Sequence, residues 1–312
     1  MPRPPIPGRL RAAALVLLLA AAGGLASGGA RATDIKLATW NLNWFTARPA
    51  GDPALPDDVK PRAPADFGLL AAYAGRLRGD IVAVEEVDGP QMAARLFPPD
   101  RYRIEMTGDH VIQRVGLAIR RDLAVERHQD VTGLDTSGPA AAHHLRSGLD
   151  VTVTIPAQGD APPVALRILA VHLKTGCWDH PLHGRLSPAC TVLRRQVAVL
   201  RDWVAARQAE GVPFIVMGDF NRDLLAGDEF MTALRGAAPL TQADSGYASP
   251  CWGGESFIDH ILAGGAARDW IRPDTLRVMV YREHDPEMKD HLSDHCPVSV
   301  HFAVGPATRA AD

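Results

Sequence analysis

The sequence predicts an α/β protein built in layers around mixed β-sheet, and three observations lead there. Short apolar runs of strand length recur along the chain, several with period-two alternation. Helical periodicity is rarer and falls between those runs. Some successive strands are close enough in sequence to pair antiparallel, which makes the sheet mixed. The 312 residues are 46% hydrophobic and 22% charged, an ordinary globular composition that disfavours disorder, collagen and coiled coil.

Residues 1–32 read as a secretory signal peptide. Arg3, Arg9 and Arg11 precede an apolar run from Ala12 to Ala22, and Ala30-Arg31-Ala32 offers an A-x-A cleavage site. A nearer site between Ala26 and Ala30 is the alternative. The apolar run is well short of the ~20 residues a spanning helix needs. Export to the periplasm or beyond the cell is therefore expected. Cleavage removes four arginines and no acid, taking the formal charge from −3 to −7. Such a chain has no global basic footprint for nucleic acid, which argues against tight non-specific DNA binding but not against a nuclease.

The elements follow in order. Ile35 to Trp40 is a strand, and residues 46–64, rich in Pro, Asp and Ala, form a long surface loop. Ala65 to Leu77 is helical, and Ile81 to Val84 is a buried strand. Residues 89–96 are helical; Val115–Arg120, Leu149–Ile155 and Val164–Leu173 are strands. Thr191 to Gln208 is the longest helix, with Leu193, Val197, Leu200 and Val204 on one face. Its arginines (Arg194, Arg195, Arg201, Arg207) read as a solvated face. Pro213 to Met217 is a central strand, and others lie near 257–262, 275–281 and 297–303. No linker divides the chain, so residues 33–305 form one domain, followed by a tail at 306–312.

Four cysteines allow three disulfide connectivities, and an exported chain favours bridging them. Cys177 and Cys190 flank a short Pro- and Gly-containing loop and are the favoured pair, which leaves Cys251 with Cys296.

Polar residues gather where apolar strands end. Asn41 and Asn43 alternate on one strand and point to one face. Glu85 and Glu86 close another strand, and only one of them shares a face with its core positions. His172 ends a third; Asp219 and Asn221 end a fourth, after Gly218. Asp259 and Asp294-His295 complete the set. Singly, each has a structural explanation: a turn-forming Asn pair, a solvated strand end, a satisfied core histidine. Together they supply hard oxygen donors without thiolates, which select Mg2+, Mn2+ or Ca2+. Histidine beside carboxylates adds a general base, and the combination suits metal-assisted hydrolysis of a phosphate ester.

The blocks W-N (40–41), E-E-V (85–87), the strand histidine at 172, G-D-F-N (218–221) and S-D-H (293–295), in this order, resemble the endonuclease/exonuclease/phosphatase superfamily, whose fold is that of deoxyribonuclease I. The resemblance spans about residues 34–303. It implies a four-layer α/β sandwich, two packed mixed sheets with helices outside. It also implies that Asn41 and Glu86 bind the divalent cation or its water shell, with Asp294 a further carboxylate on the metal side. By the same resemblance His295 is the general base and Asp259 orients it. Asp219 and Asn221 position the nucleophile and the scissile phosphate. His172 donates to a phosphate oxygen or acts as the acid. Arg114, and less so Arg146, are phosphate contacts; a surface ion pair is the competing reading for Arg146. Three departures stand out. Asn43 occupies a position where several members carry an acid. Gln113 lies where a glutamate supports the strand histidine. The 177–190 segment is a local insertion that either lines the cleft or is a stapled surface loop.

The expected function is an exported, Mg2+-dependent phosphodiesterase, an endonuclease on DNA or RNA, acting as a monomer. The alternatives are a phospholipid or sphingomyelin phosphodiesterase or a phosphomonoesterase on the same fold, for which Trp178 is one membrane-facing candidate. A catalytically inactive binding module is the third reading.

Overall fold

The computed structural model describes residues 1–2, 31–138, 141, 143–159 and 161–305. The signal-peptide reading, which rests on residues 3–30, and the tail reading at 306–312 lie outside the described residues. In chain order the elements are β1 (Thr33–Phe45), α1 (Pro64–Leu77), β2 (Ile81–Val87), α2 (Pro90–Leu96), β3 (Tyr102–Met106), β4 (Arg114–Arg120), β5 (Ala124–Arg127) and β6 (Leu149–Ile155). They continue with β7 (Val164–His172), α3 (Pro188–Glu210), β8 (Phe214–Asp219), α4 (Glu229–Arg235), β9 (Leu240–Gln242), β10 (Asp259–Gly264), β11 (Ile271–Val278), α5 (Met288–His291) and β12 (Val298–Val304).

The strands form two six-stranded sheets, ordered β11-β12-β1-β2-β4-β3 and β5-β6-β7-β8-β10-β9. The central pairs β1–β2 and β7–β8 are parallel, and their neighbours are antiparallel. Period-two alternation sorts the side chains into layers. Ile35, Leu37, Ile81, Ala83, Leu117 and Val300 of the first sheet meet Val151, Ile168, Ile215, Met217 and Ile261 of the second in the central core. The alternate positions of the first sheet, Ala38, Trp40, Val82 and Val84, pack on Leu70, Tyr73 and Leu77 of α1 and on α2. Those of the second sheet, Leu169, Val171, Val216 and Leu262, pack on Leu193, Leu200 and Val204 of α3 and on α4. The result is the four-layer α/β sandwich that the resemblance implied. Each Val, Leu, Ile or Met among them, buried completely, contributes about 1.5–3 kcal/mol.

The longest helix begins at Pro188, three residues before its apolar periodicity. Proline fits the first turn, where its missing N–H costs nothing. Ser187 caps it by accepting from the Cys190 amide at 3.1 Å, and Gly211 ends it at φ 69°. Both favoured disulfides are present, Cys177–Cys190 and Cys251–Cys296. Strands β3, β5 and β9, absent from the sequence reading, are all sheet edges, as is β11, which lies four residues earlier than expected. Edge strands are short and partly polar, so an apolar pattern does not reveal them. Among the described residues no helix is long and apolar enough to cross a membrane.

Candidate active site

The same alternation that builds the central core also builds the site. Thr39 and Asn41 continue the inward face of β1, and Glu85 that of β2. His172, Asp219 and Asp259 continue the inward faces of β7, β8 and β10. At one end of the sandwich the apolar inward positions give way to these polar ones. In register, His172 lies opposite Asp219, and Asp219 opposite Asp259, so the three form a row across the second sheet.

Gly218 makes that row possible. Its φ is 138°, and a Cβ there would fall 1.9 Å from the Val171 carbonyl oxygen, so β8 approaches β7 only with glycine at this position. The strand ends at Asp219, and Asn221 lies beyond it in the left-handed region at φ 51°. That turn, rather than strand alternation, brings the two side chains together. Asn221 Nδ2 donates to Asp219 Oδ2 at 2.9 Å and its backbone N–H to Oδ1 at 2.7 Å. Asn41 Nδ2 donates to the same Oδ2 at 2.9 Å and to Glu86 Oε1 at 3.2 Å.

The two adjacent glutamates part company for a conformational reason. Glu85 keeps strand parity, is fully buried and accepts from Thr39 Oγ1 at 3.2 Å. Burial holds its carboxyl well above the usual range, with the Asp259 and Asp219 charges adding. Glu86 sits at φ 60°, which turns its carboxylate out of parity toward Asn41, the Trp44 amide and His172. Asn43 does not share the face of Asn41. At φ 43° its backbone leaves the extended region, and its amide reaches the Lys289 carbonyl at 3.4 Å.

His295 Nδ1 meets Asp259 Oδ2 at 2.8 Å, while Nε2 faces Asp219 Oδ2 at 3.9 Å and Asp294 Oδ1 at 4.0 Å. Burial alone would lower the affinity of His295 for its proton, but the bond and charge of Asp259, with Asp219 and Asp294, hold it well above the usual imidazole value. His172 behaves oppositely. Its Nε2 is 3.4 Å from Asp219 Oδ2 and 3.6 Å from Glu86 Oε1, and its Nδ1 has no partner. Burial, then the charges of Arg146, His295 and Lys174, push it well below the usual value, so it is neutral. Gln113, just before β4, is not among the described partners of that nitrogen.

Among the described residues, the group of His, Cys, Asp and Glu atoms close enough to hold a metal ion is Asp219, Asp259 and His295, all within 4.8 Å of one another. Glu86 and Asn41 touch beside it, and the half-exposed Asp294 carboxylate lies 4.0 Å from His295 Nε2, with no Lys or Arg partner among the described residues. Burial raises the Asp219 carboxyl, the Asp259 charge adds to this, and His295 opposes. Asp259 Oδ1 and Glu85 Oε2 are buried without a partner. Five carboxylates face His295 and Arg146, and this excess of hard, negative oxygen fits a divalent cation.

Arg114 is not brought to this cluster. Val115, Leu117 and Ile119 face the central core, so Arg114 faces the α1–α2 layer, its guanidinium against Gly89. Arg146 is no surface ion pair. It is 8% exposed, donates to the Leu173 carbonyl at 3.1 Å, and feels the Glu86 and Asp219 charges. Two residues outside the sequence reading support the site. Arg62, inside the 46–64 loop, donates to the carbonyls of Leu42, Asn43, Trp44, His291 and Leu292, tying the W-N block to the S-D-H block. Tyr281 donates to the His295 carbonyl at 2.8 Å and accepts from Trp40 Nε1. Neither had a local signal, because their acceptors are backbone groups distant in sequence. Ser293 links the two blocks again, donating to the Asn41 carbonyl at 2.7 Å.

Residues 38–295 match the profile of the Endonuclease/Exonuclease/phosphatase family. Among solved structures, a truncated TDP2 from Caenorhabditis elegans is 13% identical over 87% of this chain and 98% of its own, with a TM-score of 0.52. The 3′ phosphatase NExo from Neisseria, bound to a product DNA hairpin, is 15% identical over 86% and 99%, with a TM-score of 0.52. An endonuclease/exonuclease/phosphatase family protein from Bacteroides thetaiotaomicron is 16% identical over 87% and 98%, with a TM-score of 0.54. At these identities the likeness is one of fold. No match to the sequence was found among curated proteins.

Proposed function

This chain belongs to the endonuclease/exonuclease/phosphatase family, and from that premise we propose that it is a divalent-metal-dependent phosphodiester hydrolase, an exported endonuclease acting on DNA or RNA. One observation carries the reading. Two imidazoles of opposite character, a proton-holding His295 backed by Asp259 and a neutral His172, converge on one carboxylate oxygen of Asp219. Groups whose environments push their proton affinities apart are the mark of an acid–base site.

Asp259 fixes Nδ1 of His295 as the donor, which leaves Nε2 to take a proton from the attacking water. Asp219 and Asn221 orient that water and the scissile phosphate. His172, being neutral, suits donation from Nε2 to a non-bridging oxygen, not general-acid work. Attack at phosphorus in line with the leaving oxygen inverts the centre and forms no covalent enzyme intermediate; the leaving oxygen takes its proton from solvent. The resemblance assigns the cation, Mg2+ in the first instance, to Glu86, Asn41 and Asp294, beside the Asp219, Asp259 and His295 atoms that lie within 4.8 Å of one another. Bound there, it would neutralise charge growing on the phosphoryl oxygens and ease loss of the proton that His295 holds.

The Neisseria NExo structure, with its DNA product, supports nucleic acid as the substrate class for this fold. The two disulfides support export to an oxidising compartment, as does the leader-like N-terminus. Trp178, 41% exposed on the 177–190 loop beside His295, favours the lipid phosphodiester as the second reading. Nicking of supercoiled plasmid by residues 33–312 with Mg2+, beside EDTA and His295→Ala controls, tests the proposal. Nicking that both controls abolish supports it. Folded protein that does not nick refutes the nuclease and moves the reading to lipid or small phosphoesters.

A further inference from the structure

The cleft is electrically lopsided about the scissile position. On the His295 side a recess of about 230 Å³ runs into one of about 710 Å³, the two sharing Ser249, Glu255, Ser256 and Phe257. Asp223, Asp244, Glu255 and Asp294 line this combined groove. Lys289 pairs with Glu255 at 2.6 Å, His260 with Asp244 at 2.7 Å and His295 with Asp259 at 2.8 Å, which leaves Asp223 and Asp294 as the excess negative charge among the described lining residues. A chain of phosphates is repelled there.

The His172 side is the reverse. A cavity of about 660 Å³ lies against the site, its wall including Trp44, Gln113, Thr136, His144, Arg146 and Lys174. It adjoins the catalytic cluster directly: the Trp44 amide donates to Glu86 Oε2 at 3.0 Å, and Arg146 donates to the carbonyl of Leu173, next to His172. Among the described residues no carboxylate lines it. Asp135 and Asp109 lie behind the wall and are engaged by His144 and Leu145, and by Ser147. Among the described residues Arg146 Nε and Thr136 Oγ1 are buried without a partner, sealed from solvent beneath the wall. Among the described residues the Lys174 ammonium bonds to the Thr175 carbonyl alone, at 3.1 Å. The Glu86, Asp219, Asp109 and Asp135 charges act on Arg146 from behind, but the wall itself carries Arg146 and Lys174 and no acid, so it attracts an anion. Guanidinium and ammonium together are a donor set for a phosphate.

We propose that this cavity is an anion subsite that takes a second phosphate of the substrate, on the His172 side of the scissile one, so that phosphate recognition is one-sided. The inference rests on the phosphodiesterase reading above. The second phosphate has two sources, a terminal monoester or the next internal diester.

The test is equilibrium binding by calorimetry, in EDTA so that nothing turns over. Four probes are compared: the thymidine dinucleotide bare, 5′-phosphorylated or 3′-phosphorylated, and the thymidine trinucleotide. One terminal phosphate should tighten binding at least tenfold and the other less than twofold. If the trinucleotide alone gains, the source is the internal diester. Lys174→Ala should erase the gain, and Lys174→Arg, which keeps the charge, should retain most of it. The subsite is overturned if no added phosphate tightens binding more than twofold, or if the gain survives Lys174→Ala. Turnover of the same probes with Mg2+ separates the two readings. Selective binding without hydrolysis refutes the activity and keeps the subsite; hydrolysis without selectivity does the opposite.

Discussion

Replacing Asp259 by Asn isolates the dyad from the fold. The change keeps size and shape but removes the charge that accepts from His295 Nδ1 at 2.8 Å. An amide in that place can also donate to Nδ1, which puts the proton on Nε2, where the base needs a lone pair. A positioned general base contributes about 10²–10⁴ in rate, or ~2.7–5.5 kcal/mol of barrier. The stability ledger is different. A hydrogen bond to a charged group contributes about 1.5–3 kcal/mol, and that is lost. Against it, Asp259 repels Glu85, Asp219 and Asp294, each of whose carboxyls its charge pushes up. Its oxygen lies within 4.8 Å of that of Asp219, and at an effective dielectric of 20 such a pair repels by up to ~3.5 kcal/mol when both are ionised, less while the Asp219 carboxyl, raised to about 7, holds its proton. Gain and loss nearly cancel. Asp259→Asn should therefore lower kcat 10²- to 10⁴-fold while the urea-unfolding free energy moves by less than about 2 kcal/mol. The assay pairs plasmid nicking or bis(p-nitrophenyl) phosphate turnover with urea unfolding of the same preparation. Activity within tenfold of the parent would refute the role of Asp259. A stability loss beyond about 3 kcal/mol would show that the carboxylate is structural, and that the crowding of acids is not a cost the fold carries for function.

Two further outcomes are expected. Chain entropy ranks the disulfides by the loops they close: Cys177→Ser with Cys190→Ser should cost about 3 kcal/mol for a separation of 13, and Cys251→Ser with Cys296→Ser about 4 kcal/mol for one of 45, read by urea unfolding. Only the second pair should also lower kcat at temperatures where the protein stays folded, since Cys296 follows His295 and Trp252 donates to the Ser293 carbonyl at 3.0 Å; equal effects on kcat would contradict this. His260 has both ring nitrogens facing acceptors, Asp244 Oδ2 at 2.7 Å and the Arg222 carbonyl at 2.9 Å, so the folded state favours its imidazolium. Burial opposes the charge, but Asp244 raises the proton affinity above the usual value. The raised group stabilises fully below an unfolded pKa of about 6.5, and that stability fades as pH rises through the folded value. The stability gap between the parent and His260→Gln should shrink from pH 5.5 to pH 9, and a gap that widens would disprove the charged pair.

The sequence by itself determined the layers and the chemistry. Period-two alternation marks 149–155 and continuous apolar runs mark 81–84 and 214–217 as buried strands, and the polar residues that close such runs gather at the strand ends. That is why Asn41, His172, Asp219, Asp259 and His295 were legible as one site before their distances were known. It is also why the edge strands were not: β3, β5 and β9 hold their places by pairing with a neighbour, and pairing leaves little trace in hydrophobicity. Tertiary structure alone decided what depends on backbone conformation or on partners far along the chain. Left-handed turns at Asn43, Glu86 and Asn221 set which of two adjacent or alternating polar side chains enters the site. The parity of β4 sends Arg114 to the helical layer, while burial behind Leu173 brings Arg146 to the cluster. Arg62 binds five carbonyls of two distant loops, and no pattern of side chains announces a contact made to backbone. Alternation is a local rule that sequence carries; the closure of distant loops on one guanidinium is a property of the folded chain.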